Sequence, residues 1–419
     1  MCIRDRLYSV SGLWRISQEP FMASAKWIDN LVVRASYGLQ GNIDKNTSPF
    51  LLGNYRIENI LPGGSEDMID VSGAPNKKLR WEKTHSVNAG FDFAVLNQAI
   101  NLSVDYYYRK GVDLIGTQML PLETGFEMLT VNWASMRNQG VEVALSTRNV
   151  HTKNFMWTTN FNFAYNNNKV LKEALREDAL EPGREGYPAG ALFALKTAGL
   201  DEEGYPMFQD KDGKAVSAME FFKLQEWGFG ATDLTARERR ELYTYVGTAD
   251  CPYTGGFNNT FTYKAFELGV NFSFDFGGKV RSQPTYSIVD FDKGRNTNRD
   301  ILNRWTPENT ETIFPVLLSQ NERLDEYMWY SNQNEIYRNL DIWIRDLNYV
   351  RLQNIRLGYT LPTNFSRTLG MTSATVAIEG RNLLVFGSSY KNYLDPETMS
   401  NAYATPAPKS VTLSLNLIF

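Results

Sequence analysis

The chain has 419 residues, 13% of them aromatic, and a formal net charge of −4, which offers no basic footprint for nucleic acid. No apolar run approaches the roughly 18 residues that a membrane-spanning helix needs. A membrane β-barrel remains compatible with this pattern, because its strands alternate apolar with polar side chains. The length suits two or three ordinary domains or one large barrel.

The scarcity of cysteine and histidine restricts the possible chemistry. Cys2 and Cys251 stand far apart, in a spacing that predicts neither a disulfide framework nor a zinc site. His85 and His151 are the only histidines, and no G-x-S-x-G elbow accompanies them. We therefore predict no catalytic triad, no metal and no cofactor, and a protein that is not an enzyme.

The first six residues, MCIRDR at 1–6, lack the positive stretch, apolar core and cleavage site of a secretory signal. We interpret them as a translated scar rather than as native sequence. Residues 7–419 are then the part of the chain that carries the fold.

Period-two alternation recurs along the chain, with one apolar and one polar side to each segment, as in a half-buried strand. In "VNAGFDFAV", for example, Val87, Phe91 and Phe93 alternate with Asn88 and Asp92. The pattern predicts about eleven strands, near 6–16, 31–39, 82–96, 100–110, 138–148, 154–166, 257–264, 267–277, 349–362, 375–378 and 409–419.

The alternation breaks once, in "YVRLQNIRLGYTLP" at 349–362. Val350 and Leu352 share one parity, whereas Ile355 and Leu357 share the other. A β-bulge near Gln353–Asn354 would keep both pairs on the same face.

Short and long connections alternate between these strands. The short ones lie near 96–99, at "RNVHTK" and at "KAFE"; the long ones span roughly 40–81, 111–137, 167–256, 278–345 and 386–408. A compact soluble domain rarely carries several loops of such length. The rhythm predicts an all-β, antiparallel up-and-down barrel in an outer membrane, with the long loops outside and Phe419 at the periplasmic rim.

Two loop motifs have local interpretations. "DKDGK" at 210–214 places Asp210 and Asp212 beside a glycine, but lacks the further oxygen ligands of a calcium loop, so a hairpin turn is the better interpretation. "TARERRELYTYV" at 235–246 begins with Thr235 and Glu238 in capping-box spacing, which predicts a short surface helix.

Several longer stretches resemble the SusC/RagA family of TonB-dependent outer-membrane transporters. They include "SVSGLWRISQEPFM", "WIDNLVVRASYGLQGN", "NQGVEVAL", "YTGGFNNTFTYKAFELGVNFSFDFGGKV", "RWTPEN" and "VAIEGRNLLVFGSSYKNYLDPE", in the order in which the family has them. The resemblance implies a barrel of about 22 strands. We therefore expect residues 7–419 to be the C-terminal half of such a barrel, without the signal peptide, TonB box and plug.

The resemblance also implies a function and partners. We expect energised import of oligosaccharides or peptides, a SusD-like surface lipoprotein over the outer loops, and a TonB complex that acts through the N-terminal part. The resemblance further implies residence in the lipid bilayer of the outer membrane and insertion by the barrel-assembly machinery. Outer-membrane barrels are similar in ending on an aromatic residue that acts as an insertion signal, a role that Phe419 would have here.

Aromatic residues cluster in two of the predicted outer loops, and such faces stack on sugar rings. The candidate ligand contacts are Trp227, Phe229, Trp329 and Tyr330, with Phe221, Phe222 and Tyr327 beside them. Packing within the loops, or contact with the lipoprotein, would use the same side chains. On the strands, Trp157, Tyr107 and Tyr359 are predicted to face lipid or to form an aromatic girdle.

Two alternatives belong to other classes. In a secreted, soluble all-β glycan-binding protein or glycosidase, the apolar faces of two sheets would pack together. A glycosidase also needs two carboxyl groups beside the scissile bond, and the parity of Glu379 places that residue on the polar face of a strand instead. A purely structural barrel without uptake is the other alternative.

Overall fold

The computed structural model describes residues 7–42, 48–61, 64–126, 128–175, 177–225, 232–282, 299–317, 337–368, 370–387, 395–399 and 404–419. The chain forms an all-β structure, as predicted. Its strands are β1 (Tyr8–Arg15), β2 (Ile28–Asn42), β3 (Leu52–Leu61), β4 (Gly64–Ser72), β5 (Glu82–Val95), β6 (Ile100–Met119), β7 (Met128–His151), β8 (Phe155–Lys172), β9 (Ala191–Leu195), β10 (Thr197–Leu200), β11 (Pro206–Gln209), β12 (Ala215–Val216), β13 (Tyr243–Thr248), β14 (Tyr253–Tyr263), β15 (Phe266–Arg281), β16 (Ile344–Thr360), β17 (Ser373–Phe386) and β18 (Ser410–Ile418).

Eleven of these strands make one antiparallel sheet in the order β1-β2-β5-β6-β7-β8-β14-β15-β16-β17-β18. These are the eleven predicted strands, each joined to the next in chain order among them. The sheet is open, because β1 and β18 each pair with one neighbour in it. The shorter strands form small sheets within the connections: β3 with β4, β9 with β13, and β10-β11-β12.

The register places the apolar residues of all eleven strands on one side, which we call the apolar face. One cross-strand row consists of Leu31, Phe93, Leu102, Leu145, Phe161, Phe257, Phe272 and Leu352. At the chain end, Leu413 pairs with Ile378 and Leu415 with Val376. The predicted continuous apolar belt is confirmed.

No second layer from the described residues covers this belt. Phe91 is 37% exposed and Leu413 is 76% exposed, so they do not meet in a core between sheets. Exposed apolar area is unfavourable in water by about 25 cal/mol per Å². A face of this kind is stable against lipid, as on the outside of a membrane barrel.

A polar group on the apolar face is satisfied locally. The Asn259 amide oxygen accepts hydrogen bonds from the Trp157 indole at 3.0 Å and from the Thr159 hydroxyl at 2.7 Å. The Trp157 ring also stacks on Phe261, with 5.5 Å between the centroids. These contacts keep the Asn259 amide from being left unpaired on an apolar surface.

The predicted bulge is confirmed in β16. The pairing of β16 with both neighbours shifts between Leu352 and Asn354, which leaves Gln353 as the extra residue. The shift keeps Leu352 and Ile355 on the apolar face, and it brings Arg351 and Asn354 to the opposite, polar face.

The short connections lie together at one end of the sheet. They include the turn after Val95, where Leu96, Asn97 and Gln98 all have positive φ, and the two-residue link after Tyr263. The predicted long loop 111–137 is wrong, because β6 continues to Met119 and β7 begins at Met128. Backbone pairing carries these two strands beyond the apolar belt, through a register shift near Gly111.

Two long connections, 167–256 and 278–345, pack on one another at the opposite end, which confirms that they share it. Leu195 donates its N–H to the carbonyl of Asn339, and the Thr197 hydroxyl donates to Asp341 at 2.6 Å. We call the apolar cluster between them the loop core; it consists of Leu195, Tyr205, Phe208, Val216, Ala218, Phe221, Phe222, Leu224, Tyr337, Leu340 and Trp343.

The helices are short: α1 (Ala218–Phe221), α2 (Ala236–Glu241) and α3 (Thr363–Thr368), with 3-10 turns at Ile16–Gln18, Pro20–Met22, Leu122–Thr124, Arg299–Asn303 and Asp341–Trp343. The predicted capping box is confirmed at α2, where Thr235 and Glu238 cap each other's backbone N–H groups. In the described part of the chain, no helix has the length and apolar character needed to cross a bilayer.

The placement of the two kinds of connection predicts a labelling pattern. In a background with both native cysteines replaced by serine, we expect Asp212→Cys to react with a membrane-impermeant thiol reagent on whole cells. Lys153→Cys should stay unlabelled until the cells are lysed, because it lies in a short turn at the other end. Both positions are exposed, so accessibility within the protein is matched. The reverse pattern would mean that the long connections face the periplasm.

Candidate functional site

A concavity of about 760 Å³ lies on the polar face, across strands from β2 to β16. Cross-strand pairing produces it from single polar positions. Asn160 pairs with Asn258, Asn258 with Asn271, and Asn271 with Asn354, which gives a row of amides across four strands. Each amide offers both donors and an acceptor, so the row suits ligands rich in hydroxyl or amide groups.

The next row of the polar face is shallow. Gly256 pairs with Ser273 there, and a Cβ on Gly256 would lie 2.7 Å from the carbonyl oxygen of Phe272. The Gln353 amide, from the bulge, donates to the Ser273 hydroxyl at 2.7 Å. The bulge thus places one further amide at the wall of the concavity.

An ionic cluster borders the concavity on β2, β5 and β6. One guanidinium nitrogen of Arg34 donates to Asp105 at 2.7 Å, to Asp92 at 3.1 Å and to the Ser103 hydroxyl oxygen at 3.0 Å. Ser103 also donates to Asp92 at 2.7 Å. The cluster fixes the orientation of Asp92 and Ser103, which line the concavity.

A second ionic network is buried at the other side of the polar face. Arg351, only 2% exposed, contacts Asp395 and donates its Nε to Glu397 at 2.9 Å. The Tyr349 hydroxyl donates to Asp275 at 2.5 Å and lies 3.2 Å from Glu397. Asp395 and Glu397 come from the connection between β17 and β18, so the network fastens the segment 395–399 onto β16.

The segment 395–399 is shaped to receive Arg351. One Asp395 carboxylate oxygen also accepts the backbone N–H of Glu397 at 3.0 Å, and Met399 is almost fully buried. Burial alone would raise the pKa of Asp395, but hydrogen bonds from Arg351 and from the Glu397 backbone hold it below its ordinary value. Asp395 is therefore charged at neutral pH and paired.

The predicted aromatic contacts in the loops have two outcomes. Trp227, Phe229, Tyr327, Trp329 and Tyr330 lie outside the described residues. Phe221 and Phe222 are buried in the loop core, where they stack with Phe208, so packing within the loops is their role.

The strand aromatics are only partly as predicted. Trp157 and Tyr359 lie on the apolar face, where Tyr359 packs on Phe266 with centroids 4.6 Å apart. The prediction for Tyr107 is wrong. Tyr107 lies on the polar face over Gly140, and its hydroxyl donates to Asn166 at 2.9 Å. Gly140 leaves room for the ring, because a Cβ there would lie 2.6 Å from the Tyr107 hydroxyl.

The remaining candidates have simple surroundings. Asp210 and Asp212 lie in the turn between β11 and β12, which confirms the hairpin, and the described residues hold no metal-binding cluster of acidic, histidine or cysteine side chains. Glu379 pairs with Thr412 on the polar face and contacts Arg381. Phe419 is 82% exposed, beside the end of β18 where the short connections lie.

The sequence of this chain is similar to those of known TonB-dependent receptors. The family described as "TonB dependent receptor-like, beta-barrel" matches residues 8–192. TonB-dependent receptor P3 of Formosa agariphila is 26% identical over 97% of this chain and 41% of its own length. TonB-dependent receptor SusC of Bacteroides thetaiotaomicron is 25% identical over 96% of this chain and 39% of its own length.

Solved structures agree on the fold. The structure of the RagAB peptide transporter superposes with a TM-score of 0.75 at 23% identity, over 98% of this chain and 43% of that one. The chain spans about two fifths of the length of the curated relatives that it matches.

The buried network predicts unequal effects for two arginines of β16. Arg351→Met leaves the Asp395 carboxylate without its partner, so we expect the segment 395–399 to leave the sheet at a cost of about 3–5 kcal/mol. Limited proteolysis should then cut near 395–399, and the barrel should unfold at lower temperature.

Arg356→Met is the matched control for this change. Arg356 pairs with Glu267 at 2.9 Å in a half-exposed contact, which is worth about 0–1 kcal/mol. Equal protease protection in both variants would contradict the proposed fastening of the segment.

Proposed function

The chain belongs to the SusC/RagA-type TonB-dependent receptors of the cell outer membrane. From this premise we propose that it forms part of the barrel wall of a transporter that imports oligosaccharides or peptides. Its role is to bind and pass a ligand, without covalent chemistry. The relatives are receptors by name, which supports this choice over an enzyme.

The observation that carries the proposal is the division of one sheet into two faces. The apolar face suits lipid, and the polar face carries the concavity with its row of uncharged amides. Amides and hydroxyls bind sugar hydroxyls and peptide groups equally well, because both ligands offer donors and acceptors. A soluble sandwich would instead bury the apolar face.

The partners follow from the same premise. The solved relative is described as the RagAB peptide transporter, and the other relatives are TonB-dependent by name. We propose that a SusD-like lipoprotein covers the long connections and that a TonB complex supplies energy to the whole receptor. Trp227, Phe229, Trp329 and Tyr330 are proposed ligand contacts in those connections.

The uptake proposal predicts opposite outcomes for adjacent residues of β15. Asn271 faces the concavity, whereas Val270 lies on the apolar face beside Asn259 and Ile355. In the receptor that carries this chain, we expect Asn271→Trp to lower uptake of labelled oligosaccharide or peptide several-fold, because the new ring fills the concavity. Val270→Trp should leave uptake unchanged, since lipid accommodates the ring.

Uptake is measured in cells that lack the native gene, with and without an active TonB complex, at equal surface amounts of each variant. Oligosaccharide and peptide pools are tested separately, which distinguishes the two substrate classes. Uptake that does not depend on the receptor or on TonB would overturn the function. Equal uptake by both tryptophan variants would show that the ligand does not pass along the polar face.

We propose that Phe419 is read by the barrel-assembly machinery. An exposed aromatic at the end of the last strand suits an interfacial or recognition role better than packing. Deleting Phe419 from the intact receptor should lower its surface abundance several-fold, with degradation of the periplasmic form, while the inserted fraction melts normally. If Phe419 only packs, its loss should instead lower the free energy of unfolding by about 1–3 kcal/mol, and with it the melting temperature, while the surface abundance stays unchanged.

A further inference from the structure

A row of three cationic side chains and one histidine crosses four neighbouring strands on the apolar side of the sheet. The register pairs His85 of β5 with Lys110 of β6, Lys110 with Arg137 of β7, and Arg137 with Lys169 of β8. The sequence positions span 85 residues, so only the strand pairing brings them together. We call these four residues the cationic row.

The cationic row lies at the edge of the apolar belt. The adjacent row towards the short connections begins with Val87 and Tyr108, which pair with each other, and Val87 is 40% exposed. Residues two apart on a strand share a face, so Lys110 lies on the same side as Tyr108. The row is therefore on the lipid side of the wall, at the end where the long connections lie.

An aromatic and a basic side chain also pack together near this end of the sheet. The ammonium group of Lys172, on β8, lies 3.6 Å from the centroid of the Trp133 ring of β7. Trp133 is 46% exposed. Tryptophan and lysine together are typical of the level where a bilayer changes from acyl chains to headgroups.

The cations of the row have no carboxylate partner in the described part of the chain. Lys110, Arg137 and Lys169 take part in no ion pair there, and the Arg137 Nε is shielded from water without a hydrogen-bond acceptor. Two arginines of the polar face differ in this respect: Arg34 and Arg351 each contact two carboxylates.

Like charges on neighbouring strands repel, since strands lie about 4.8 Å apart. An anion that spans the row relieves this repulsion and supplies acceptors to Arg137. Phosphate suits both residue types, because it accepts bidentate hydrogen bonds from arginine and pairs with lysine as a point charge.

We propose that the cationic row binds the phosphate groups of a phosphorylated glycolipid in the outer leaflet. A lipid can place its acyl chains against the apolar belt and its headgroup at the row. A soluble anion would use only the row. This inference rests on the proposed orientation, with the long connections outside. It does not depend on what the receptor imports.

The test compares Lys110→Gln/Arg137→Gln with Arg109→Gln/Lys153→Gln in the intact receptor. Both variants lose two positive charges, but Arg109 lies on the polar face and Lys153 at the opposite end. The receptor is purified in detergent and incubated with phosphorylated or enzymatically dephosphorylated lipid A, and bound lipid is counted by native mass spectrometry. Heat-modifiable migration first verifies that each barrel is folded; if the double variant is not, Lys169→Gln takes its place.

We expect the unaltered receptor and the control to retain phosphorylated lipid A. The row variant should retain about 30-fold less, because it lacks two charges that attract the phosphate and each 1.4 kcal/mol of binding free energy corresponds to about a tenfold change in affinity. Dephosphorylated lipid A should be retained weakly by all three. Equal retention of both lipids, or equal loss in both variants, would overturn the proposal. Displacement of the lipid by millimolar inorganic phosphate would also overturn it, since the site would then be one for a soluble anion. Uptake is measured separately, so failure here leaves the proposed function standing.

Discussion

Antiparallel pairing at a register that keeps apolar side chains on one side is the constraint on which the rest of this protein depends. The backbone of each strand forms hydrogen bonds with its neighbours, and the side chains of the strand then lie alternately on the two faces. A slip of one residue would exchange the faces of a whole strand. The row from Leu31 to Leu352 shows that the register is kept over eight strands. The Gln353 bulge keeps it where the sequence loses its parity.

The same register builds the row of asparagines on the polar face and the cationic row. Asparagines of separate strands meet in one row because Asn258 pairs with Asn160 on one side and Asn271 on the other. Lys110 meets Arg137 for the same reason on the opposite face. The wall of the sheet thus separates a polar, hydrogen-bonding surface from an apolar surface that ends in positive charge.

The long connections have their own order, which the sheet does not provide. The loop core joins residues of 167–256 to residues of 278–345, and Trp343 lies within it with only 1% of its surface exposed. The segment 395–399 is instead held by charge, through Arg351. Apolar packing resists changes in pH and salt, whereas the carboxylate contacts of Arg351 depend on the charge of Asp395. The connections therefore differ in what holds them to the barrel wall.

Strand number, strand faces, the bulge, the hairpin at Asp210 and the cap at Thr235 were all predictable from the sequence, because each rests on residues adjacent in the chain. Tyr107 was misplaced because its aromatic character was given more weight than its parity, which differs from that of Tyr106 and Tyr108. The contacts of Arg34 with Asp105 and of Arg351 with Asp395 join residues 71 and 44 positions apart. No periodicity encodes such pairs, since they depend on which strands become neighbours and on how a connection folds back. Alternation along the chain determined what each strand shows to either side, and only the tertiary structure decided which side chains meet there.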